Sequence, residues 1–468
     1  MKGKVRSILT IGHPLLRRRA RPVERVTGAV RKLADDLLAT MYAHDGVGLA
    51  ANQVGVDLRV VVADAGEGPV VLVNPEILGR TGEEVGVEGC LSVPGLAGEV
   101  VRAQEVRVRA LDLRGEVRWL EASGLLARVI QHEVDHLDGI LFVDRALRVW
   151  EVPPESRVRF IFMGTPEFSA RVLEGLLEGE ARPVAVVTRP DRPRGRGWKE
   201  RPSPVKELAL QKGIEIWQPE RLSDPSFLDK VREAEPEVIL VAGYGAILPS
   251  SLLEIPPWGG LNLHPSLLPR YRGMAPVIRA LMSGEESTGV TVARMTSRVD
   301  AGDIVFQERV EILPEDNRES LERKLARVGA GLLLRALRLI ARGEGLPSRS
   351  QDESQATYAP PLRPEEEWID WTCPAREIVN LVRALAPSPG ASALVGGRLI
   401  KVLRAEAVEG RGLPGEVLEV GGESFTVAAG EGAVRVLAVK PAGGRAMEAG
   451  AYLRGHRLLP GEVVSSRG

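Results

Sequence analysis

Two histidines stand four residues apart in the segment HEVDH, from His132 to His136. On an α-helix, side chains at this spacing lie on one face, so both imidazoles can bind one metal ion while Glu133 moves protons beside it. A tetrahedral catalytic site takes three protein ligands and leaves one position open. Cys90, in the segment EGCLS, is the candidate third ligand. An ordinary helix and a buried thiol remain the alternative interpretation, because the pentapeptide alone is a short pattern.

A second group of polar residues occurs in the segments NLH and VDAGD. Asn262 and His264 alternate along the chain, so in an extended strand their side chains face the same way. Asp300 lies in a turn that could reach the histidine. An amide, an imidazole and a carboxylate together can stabilise an oxyanion and move a proton without a metal. Taken alone, a pair such as Asn262 and His264 is more often a pair of polar groups bonded to a loop than a catalytic pair.

The stretch from Thr188 to Lys206 is strongly basic in a chain whose formal net charge is −1. The near-neutral charge argues against a general nucleic-acid coat, which needs many cations against phosphates. This segment predicts either a local phosphate contact or a solvated charged loop.

The length of 468 residues predicts two to four domains, and 44% hydrophobic with 27% charged residues is typical of globular proteins. Two cysteines cannot form a disulfide framework. We find no apolar run near the roughly 20 residues that cross a bilayer and no signal peptide, so we expect a cytoplasmic protein.

The candidate metal ligands Cys90, His132 and His136 lie in a region that predicts a compact α+β domain over residues 1–150. Apolar residues recur at helical spacing over Ala29 to Ala43, and Leu125 to Leu137 predicts a helix that carries HEVDH and ends near Gly139. Short β-rich segments separate the two helices. We place the domain boundary at the proline-containing segment Val149 to Ser156.

The polar residues Asn262, His264 and Asp300 lie in a region where predicted strands and helices alternate, beginning at Arg157. This order predicts a Rossmann-like domain over 157–343, with a parallel sheet and helices on both faces. The segment Gly343 to Pro364 lacks a hydrophobic period and predicts a linker. Over 364–468, a helix near Ala375 to Ala386 and several short β segments predict a small OB-like β-barrel.

The segments GVGLAANQ, EGCLS and QHEVDHLDG together resemble the peptide deformylase family over residues 1 to about 147. The resemblance implies that Cys90, His132 and His136 hold Fe2+ or Zn2+, and that Glu133 is the general base and then the acid. It further implies roles for residues around this centre. Gln53 and the backbone N–H of Leu91 would stabilise the oxyanion, Gly46 and Gly48 would admit a bound peptide, and Leu91, Val47 and Leu49 would line a methionine pocket.

The segments FMGTPEF, RPDRPRGRG, PSPVK, AGYGAILP, NLHPSLLPRYRG and DAGD resemble methionyl-tRNA formyltransferases from about Arg157 to the C-terminus. The resemblance implies that Asn262 and protonated His264 bind the oxyanion while Asp300 orients the histidine. It also implies contacts with 10-formyltetrahydrofolate and with initiator methionyl-tRNA. The folate contacts would be Ile247, Leu248, Ser266, Leu267, Leu268 and Pro269, and the tRNA contacts would be Arg194, Arg196 and Lys199.

Two departures from the formyltransferase pattern, Pro265 and Met274, lie in the folate-side loop and bear on folate affinity more than on reaction type. For Ile247 and Leu248, a place in the core at a strand end is an equally good interpretation. The combined prediction is a bifunctional enzyme acting on nascent formyl-methionyl peptides, which it could meet at the ribosome, and on methionyl-tRNA. We expect no membrane partner, and the sequence leaves the oligomeric state open.

Three alternatives remain open. HEVDH could belong to an endopeptidase, but that class needs a third ligand downstream of the helix, whereas Cys90 lies upstream. The transferase could act on a nucleotide or nucleotide sugar, against which the basic loop and C-terminal domain argue. One half could also be a degenerate interaction module, although every expected polar residue is present.

Overall fold

The computed structural model describes residues 3–44, 46–194 and 199–466, and it describes the side chains of these residues outside 192–201. The chain forms two compact units, Met1–Pro153 and Pro154–Gly468. Within the described ranges, no helix is both long enough and apolar enough to span a membrane.

The first unit is an α+β fold with two sheets. Its helices are α1 (Gly28–Ala43) and α2 (Gly124–Leu137). Its strands are β1 (Gly48–Ala50), β2 (Val60–Ala63), β3 (Val70–Thr81), β4 (Glu84–Cys90), β5 (Val93–Arg102), β6 (Glu105–Leu111), β7 (Val117–Ser123) and β8 (Arg148–Glu151). One sheet has the order β1-β2-β3-β6-β7, and the other has the order β4-β5-β8. The fold class predicted for this unit is confirmed.

Helix α2 is held in place by its apolar side chains. Ile130, Val134 and Leu137 pack against Val61 and Leu72 of the larger sheet. These three side chains share one face because their spacing follows the helical period. The helix ends at Leu137, and Gly139 adopts a φ of 75°, a left-handed conformation that glycine tolerates.

The boundary segment differs in part from the predicted junction. Val149 belongs to β8, which pairs with β5 through Gly98 and so extends the sheet of the first unit. Only the residues after Glu151 lie outside this strand, and a short 3-10 helix, Pro154–Arg157, begins the second unit. The sequence missed β8 because its four residues are too few to show a strand period.

The second unit begins with the sheet of alternating strands and helices. Its strands are β9 (Phe160–Gly164), β10 (Ala185–Val187), β11 (Arg192–Arg194), β12 (Lys199–Arg201), β13 (Ile216–Trp217), β14 (Val238–Ala242), β15 (Gly260–His264), β16 (Ser287–Arg294) and β17 (Ile304–Glu311). Its helices are α3 (Glu167–Glu178), α4 (Pro204–Gln211), α5 (Pro225–Glu233), α6 (Ser250–Leu253), α7 (Pro276–Met282) and α8 (Arg318–Ala341).

The order of the sheet is β13-β10-β9-β14-β15-β16-β17. The pairings from β13 to β15 are parallel, as predicted, and apolar clusters cover both faces. Strands β16 and β17 are antiparallel, which corrects the prediction of a parallel sheet throughout. A hairpin connects them, and antiparallel neighbours can be joined by such a short connection whereas parallel ones cannot.

The segment predicted as a linker, residues 343–364, forms backbone hydrogen bonds with earlier residues of the second unit. Arg349 exchanges backbone hydrogen bonds with Ile304, and Arg272 does so with residues 357 and 359. Polar composition suggested a free linker, but these polar groups find partners on the neighbouring loops instead. The segment is therefore a fixed part of the second unit.

The remainder of the chain is a curled antiparallel sheet with two helices at its ends. The helices are α9 (Ala375–Leu385) and α10 (Ala449–Gly455), and the strands are β18 (Ala391–Val395), β19 (Arg398–Val408), β20 (Val417–Val420), β21 (Phe425–Ala428), β22 (Ala433–Pro441), β23 (Met447–Glu448) and β24 (Val464–Ser465). The order is β20-β21-β22-β19-β18-β24, with β23 on β22. A bridge between Glu416 and Val463 links the ends of the two outermost strands, so the sheet curls towards closure.

Two candidate active sites

The first unit brings together the three residues predicted to bind metal. One ligand atom from each of Cys90, His132 and His136 lies within 4.8 Å of the others. The two histidines lie on one face of α2, with ring centroids 5.0 Å apart, and the His136 Nε2 is 3.1 Å from the Cys90 Sγ. One thiolate and two imidazoles at this spacing fit a divalent transition metal.

Cys90 reaches the helix because it ends β4 at the hairpin that leads into β5. The pairing register shifts between Gly89 and Cys90, so the strand is irregular at the cysteine. The backbone N–H of Ser92 donates to the Cys90 Sγ at 3.3 Å. The hydrogen bond fixes the position of the sulfur, and the thiolate is the form of cysteine that binds a metal ion.

His132 is oriented by a buried charged network that the sequence did not reveal. Its Nδ1 lies 2.9 Å from a carboxylate oxygen of Glu88, which leaves Nε2 as the nitrogen that can face a metal. Arg102 binds the same carboxylate through two nitrogens, each at 2.9 Å, and also bonds Asp135. Burial opposes the charge on Glu88, but the hydrogen bonds from Arg102 and His132 prevail and lower its pKa to about 2.

Glu133 lies beside the cluster in an apolar and tightly enclosed position. Its Oε2 is buried and has no hydrogen-bond partner within the described part of the chain. Burial, as the largest cause, raises the pKa of Glu133 to about 7. A buried carboxyl group with an unused oxygen and a pKa near neutrality suits proton transfer.

The two glycines predicted to admit a peptide lie close to side chains of the candidate site. A Cβ on Gly48 would lie 2.5 Å from the Glu133 Oε1 and 2.6 Å from a methyl group of Val129. Gly48 therefore makes room for Glu133, which is a packing role that the sequence interpretation missed. A Cβ on Gly46 would be 3.2 Å from the Leu91 side chain, so this glycine also lies against the apolar residue next to Cys90.

Gln53 is buried beside the metal ligands, where its amide nitrogen lies 3.7 Å from the Cys90 Sγ and 3.2 Å from the Ser92 hydroxyl. Its Oε1 accepts from the backbone N–H of Ala50, which fixes the direction of the amide group. Leu91 lies in the hairpin turn directly after Cys90. The structure thus brings the predicted oxyanion groups to the same centre as the ligands.

The predicted methionine pocket is only partly compatible with the structure. Leu49 is fully buried in the apolar core and cannot line an open pocket, whereas Val47 is 45% exposed and Leu91 is half-buried. Val47 precedes strand β1, whereas Leu49 is the central residue of that strand.

The second unit brings Asn262, His264 and Asp300 together at the carboxyl end of β15. Asn262 donates from Nδ2 to one carboxylate oxygen of Asp300 at 3.0 Å, and the other oxygen lies 3.5 Å from the His264 Nδ1. The backbone N–H of Gly273 also donates to that second oxygen, at 2.9 Å. Asp300 has a φ of 50°, so the turn is held in a conformation that few non-glycine residues adopt.

Both ring nitrogens of His264 face acceptors. Nε2 is 2.8 Å from the backbone oxygen of Tyr271, and Nδ1 faces Asp300. Each of these oxygens can accept a hydrogen bond from the ring nitrogen that faces it. The predicted contact of His264 with an oxyanion would need one of these bonds to be exchanged, whereas Asn262 has a second amide hydrogen to offer.

The predicted folate residues fall into two groups. Leu248 is 3% exposed and belongs to the core, whereas Ile247 is 70% exposed. Ser266, Leu267, Leu268 and Pro269 form the turn after β15, where Ser266 and Leu268 are fixed by Thr291. Pro265 lies in the same turn, and Met274 is strongly exposed.

The predicted tRNA residues lie in the basic segment. Arg194 and Lys199 pair in the register of β11 and β12, and Arg196 lies outside the described residues. The base of the segment is anchored by Lys206, which bonds Asp191 and Gln218.

Three protein-family models match the chain in sequence. They are described as polypeptide deformylase, over residues 5–150, formyl transferase, over 156–337, and formyl transferase C-terminal domain, over 361–457. The methionyl-tRNA formyltransferase of Moorella thermoacetica is 47% identical over 309 residues, which are 66% of this chain and 99% of that protein. The one from Caldanaerobacter subterraneus is 43% identical over 310 residues, which are 66% of this chain and 100% of that protein.

Solved structures resemble the N-terminal part. The peptide deformylase of Thermotoga maritima is 44% identical and covers 31% of this chain and 99% of its own, with a TM-score of 0.30. An actinonin-bound class I type b peptide deformylase of Acinetobacter baumannii is 43% identical and covers 31% of this chain and 99% of its own, with a TM-score of 0.29.

Proposed function

Because the chain belongs to the methionyl-tRNA formyltransferase family and carries a polypeptide deformylase domain before it, we propose that it performs two opposite formyl reactions of translation. One removes the formyl group from the N-terminal formyl-methionine of nascent peptides. The other moves a formyl group from 10-formyltetrahydrofolate to the amino group of methionyl-initiator-tRNA. The observation that carries the proposal is that each unit assembles a complete polar set for its own reaction.

In the deformylase unit, Cys90, His132 and His136 would hold the metal, and the chemistry of the set fits Fe2+ or Zn2+. When bound, the metal supplies Lewis acidity at the open position. Glu88 keeps the Nδ1 of His132 engaged, so that Nε2 points to the metal position. The low pKa of Glu88 keeps this carboxylate charged over the whole working range of pH.

The remaining groups of this unit would handle the substrate and its protons. Glu133 would take a proton from the attacking water and later deliver it to the departing amine. The Gln53 amide and the Leu91 N–H would donate to the oxygen of the formyl group as it gains charge. The position of Gln53 beside Cys90 supports this role, because its donor group already faces the metal ligands.

In the transferase unit, the methionyl α-amine would attack the formyl carbon and form a tetrahedral oxyanion. The oxyanion would collapse as the bond from this carbon to the folate N10 breaks, and N10 would take up a proton as tetrahydrofolate leaves. Asn262 would donate to that oxyanion with the amide hydrogen that does not bond Asp300. His264 would also donate to the oxyanion, and Asp300 would orient His264 and assist loss of the amine proton. The folate would lie against the exposed Ile247 and the turn from Ser266 to Pro269.

Recognition of tRNA would involve the basic segment and the C-terminal sheet. Arg194, Arg196 and Lys199 would contact phosphates near the acceptor end. The curl of the C-terminal sheet supports an OB-like barrel, a fold that binds nucleic acids with one face. The deformylase unit would meet its peptides as they leave the ribosome.

The test is to assay the purified full-length chain for both reactions. We expect release of formate from a formyl-methionyl peptide and incorporation of labelled formyl groups into methionyl-tRNA. Arg196→Ala should raise the KM for methionyl-tRNA and leave the KM for the folate unchanged, since phosphate contacts act through binding. Absence of either reaction from a well-folded, metal-loaded chain would refute the proposal for that unit.

A further inference from the structure

The turn that carries Asp300 is held by a segment that neither transferase family model includes. The first model ends at residue 337 and the second begins at 361, and Gln351 lies between them. Its Nε2 donates to the backbone oxygens of Asp300, at 2.8 Å, and of Gly302, at 2.7 Å. One side-chain amide therefore binds both ends of the turn that presents the carboxylate.

The other end of the same side chain binds Arg272, in the loop that follows β15. The Gln351 Oε1 accepts from Nε and Nη2 of Arg272, at 3.1 and 2.8 Å. Arg272 is 1% exposed, and its guanidinium forms two further hydrogen bonds with Glu353, each at 3.0 Å. A guanidinium bound on two sides in this way has a fixed orientation.

Arg272 lies within the loop that contacts both catalytic partners. Its neighbour Tyr271 accepts from His264, and its neighbour Gly273 donates to the Asp300 carboxylate. A Cβ on Gly273 would lie 2.9 Å from the backbone oxygen of Ala359, so the loop and the 351–359 segment pack closely. Gln351 thus bridges the loop that positions His264 and the turn that positions Asp300.

The conformation of the turn explains why such a bridge is needed. Asp300 has a positive φ, which is unfavourable for a non-glycine residue unless the surroundings impose it. Gly302 cannot carry a side chain, because a Cβ there would lie 1.8 Å from the backbone oxygen of Arg294. Two hydrogen bonds from one amide to the carbonyls of Asp300 and Gly302 hold this strained backbone.

We propose that Gln351 is a positioning residue for formyl transfer, which acts by holding the Asp300 turn and the Arg272 loop in register. This inference rests on the proposed function of the transferase site. On this inference, the segment between the two transferase domains helps to position the active-site residues and does more than connect the domains. Displacement of a catalytic group by about 1 Å can cost about a hundredfold in rate.

Gln351→Glu is the sharpest variant, because it keeps the shape of the side chain and an acceptor for Arg272 but removes both donors. A carboxylate would also face two carbonyl oxygens. Gln351→Asn keeps the amide on a shorter side chain and should be less damaging. Gln355→Glu is the matched control, since Gln355 lies in the same segment and its amide bonds the Asp352 side chain and no other group among the described residues.

The experiment measures formylation by the full-length chain at varied methionyl-tRNA and varied 10-formyltetrahydrofolate, together with the melting temperature. We expect Gln351→Glu to lower kcat at least about tenfold with both KM values within about twofold, and Gln355→Glu to match the wild type. In the Asp300→Asn background, Gln351→Glu should reduce the residual rate little further, because both changes act on one group.

Three results would overturn the inference. The first is an unchanged kcat in Gln351→Glu, and the second is a change confined to either KM. The third is a fall in kcat that is as large in the Asp300→Asn background as it is in the wild-type background. If Gln351→Glu is unstable, Gln351→Leu, which also lacks both donors, decides by the same measurements. Lack of formylation by the wild-type chain would instead refute the proposed function, so the two failures are distinguishable.

Discussion

Glu133 shows how a single residue acquires its chemistry from its surroundings. Burial raises its pKa to about 7, and one carboxyl oxygen has no partner among the described residues. In the metal-free chain this group takes up a proton as the pH falls through about 7. A nearby cation would favour the carboxylate, so the bound metal and the burial act in opposite directions on the same proton.

The ligands and Glu133 should respond differently to substitution. Cys90→Ala removes one of three ligands and should lower metal content and deformylation together. Glu133→Gln should keep the metal but lower turnover about a hundredfold or more, because it removes the proton-transferring group. Metal analysis beside a deformylation assay distinguishes the two. Full metal content and normal turnover in Cys90→Ala would contradict the assigned ligand set.

Gly48 should be intolerant of even a methyl group. In Gly48→Ala the added carbon would lie 2.5 Å from the Glu133 Oε1, so the carboxyl group must move. We expect deformylation to fall at least about tenfold, with formylation unchanged. Gly28→Ala is the control, since a Cβ there meets no atom within 4 Å. Equal activity of Gly48→Ala and Gly28→Ala would show that Glu133 has another position available.

Residue identity could be predicted where a local pattern carries the chemistry. HEVDH, EGCLS and NLH each place their polar groups within a few residues, and helix or strand periodicity then fixes the common face. The roles of Glu88, which is the first residue of EGCLS, and of Gln351 could not be found in this way. Their partners, Arg102 and Arg272, lie 14 and 79 residues away, and only the folded chain reveals such pairs.

At the scale of elements, the helices that the sequence singled out, α1, α2 and α9, were predicted closely, whereas the long helix α8 and the sheet edge were not. Helix α2 follows from a clear apolar period, whereas the direction of β16 and β17 depends on how the chain returns to the sheet. Asp300 lies in the connection between these two strands. The part of the sheet whose strand direction could not be predicted therefore also positions a residue of the candidate site. The residues of 343–364 likewise take their structure from partners distant in sequence.

The beginning of the C-terminal domain is bound to helix α7 of the preceding domain by an ion pair. Glu366 accepts from both terminal nitrogens of Arg279 in α7, at 2.6 and 3.0 Å. The hydrogen bond from Arg279, with smaller contributions from the Arg363 backbone and side chain, lowers the pKa of Glu366 to about 2. The carboxylate form is therefore favoured by folding.

Glu366→Gln should lower the free energy of unfolding by about 2 kcal/mol at neutral pH. Because the folded pKa lies below its ordinary value of 4.5, this stabilisation is complete above pH 4.5 and is lost as the pH falls towards about 2. The difference in melting temperature between variant and wild type should shrink over that interval.

Glu365→Gln is the matched control for this ion pair, since Glu365 is exposed and forms no ion pair among those observed in the described residues. It should leave the melting temperature unchanged over the same pH range. A difference between Glu366→Gln and wild type that stays constant down to pH 2 would show that the pair does not stabilise the fold through its charge.

The whole molecule joins two units whose chemistry is separate. The first contains the metal ligands and Glu133, and the second contains Asn262, His264 and Asp300. The cut between them falls at Pro153, within the segment that the sequence marked by its prolines. The domain limits 1–150, 157–343 and 364–468 remain predictions, which limited proteolysis of the full chain can test.

The most direct test of the two-site interpretation measures both reactions side by side in the full-length chain and in two variants. We predict that Glu133→Gln loses deformylation about a hundredfold or more and keeps formylation within about twofold, and that His264→Ala does the reverse. Melting curves and metal content establish that each variant is folded and loaded. Loss of both activities in either folded variant would contradict two independent active sites.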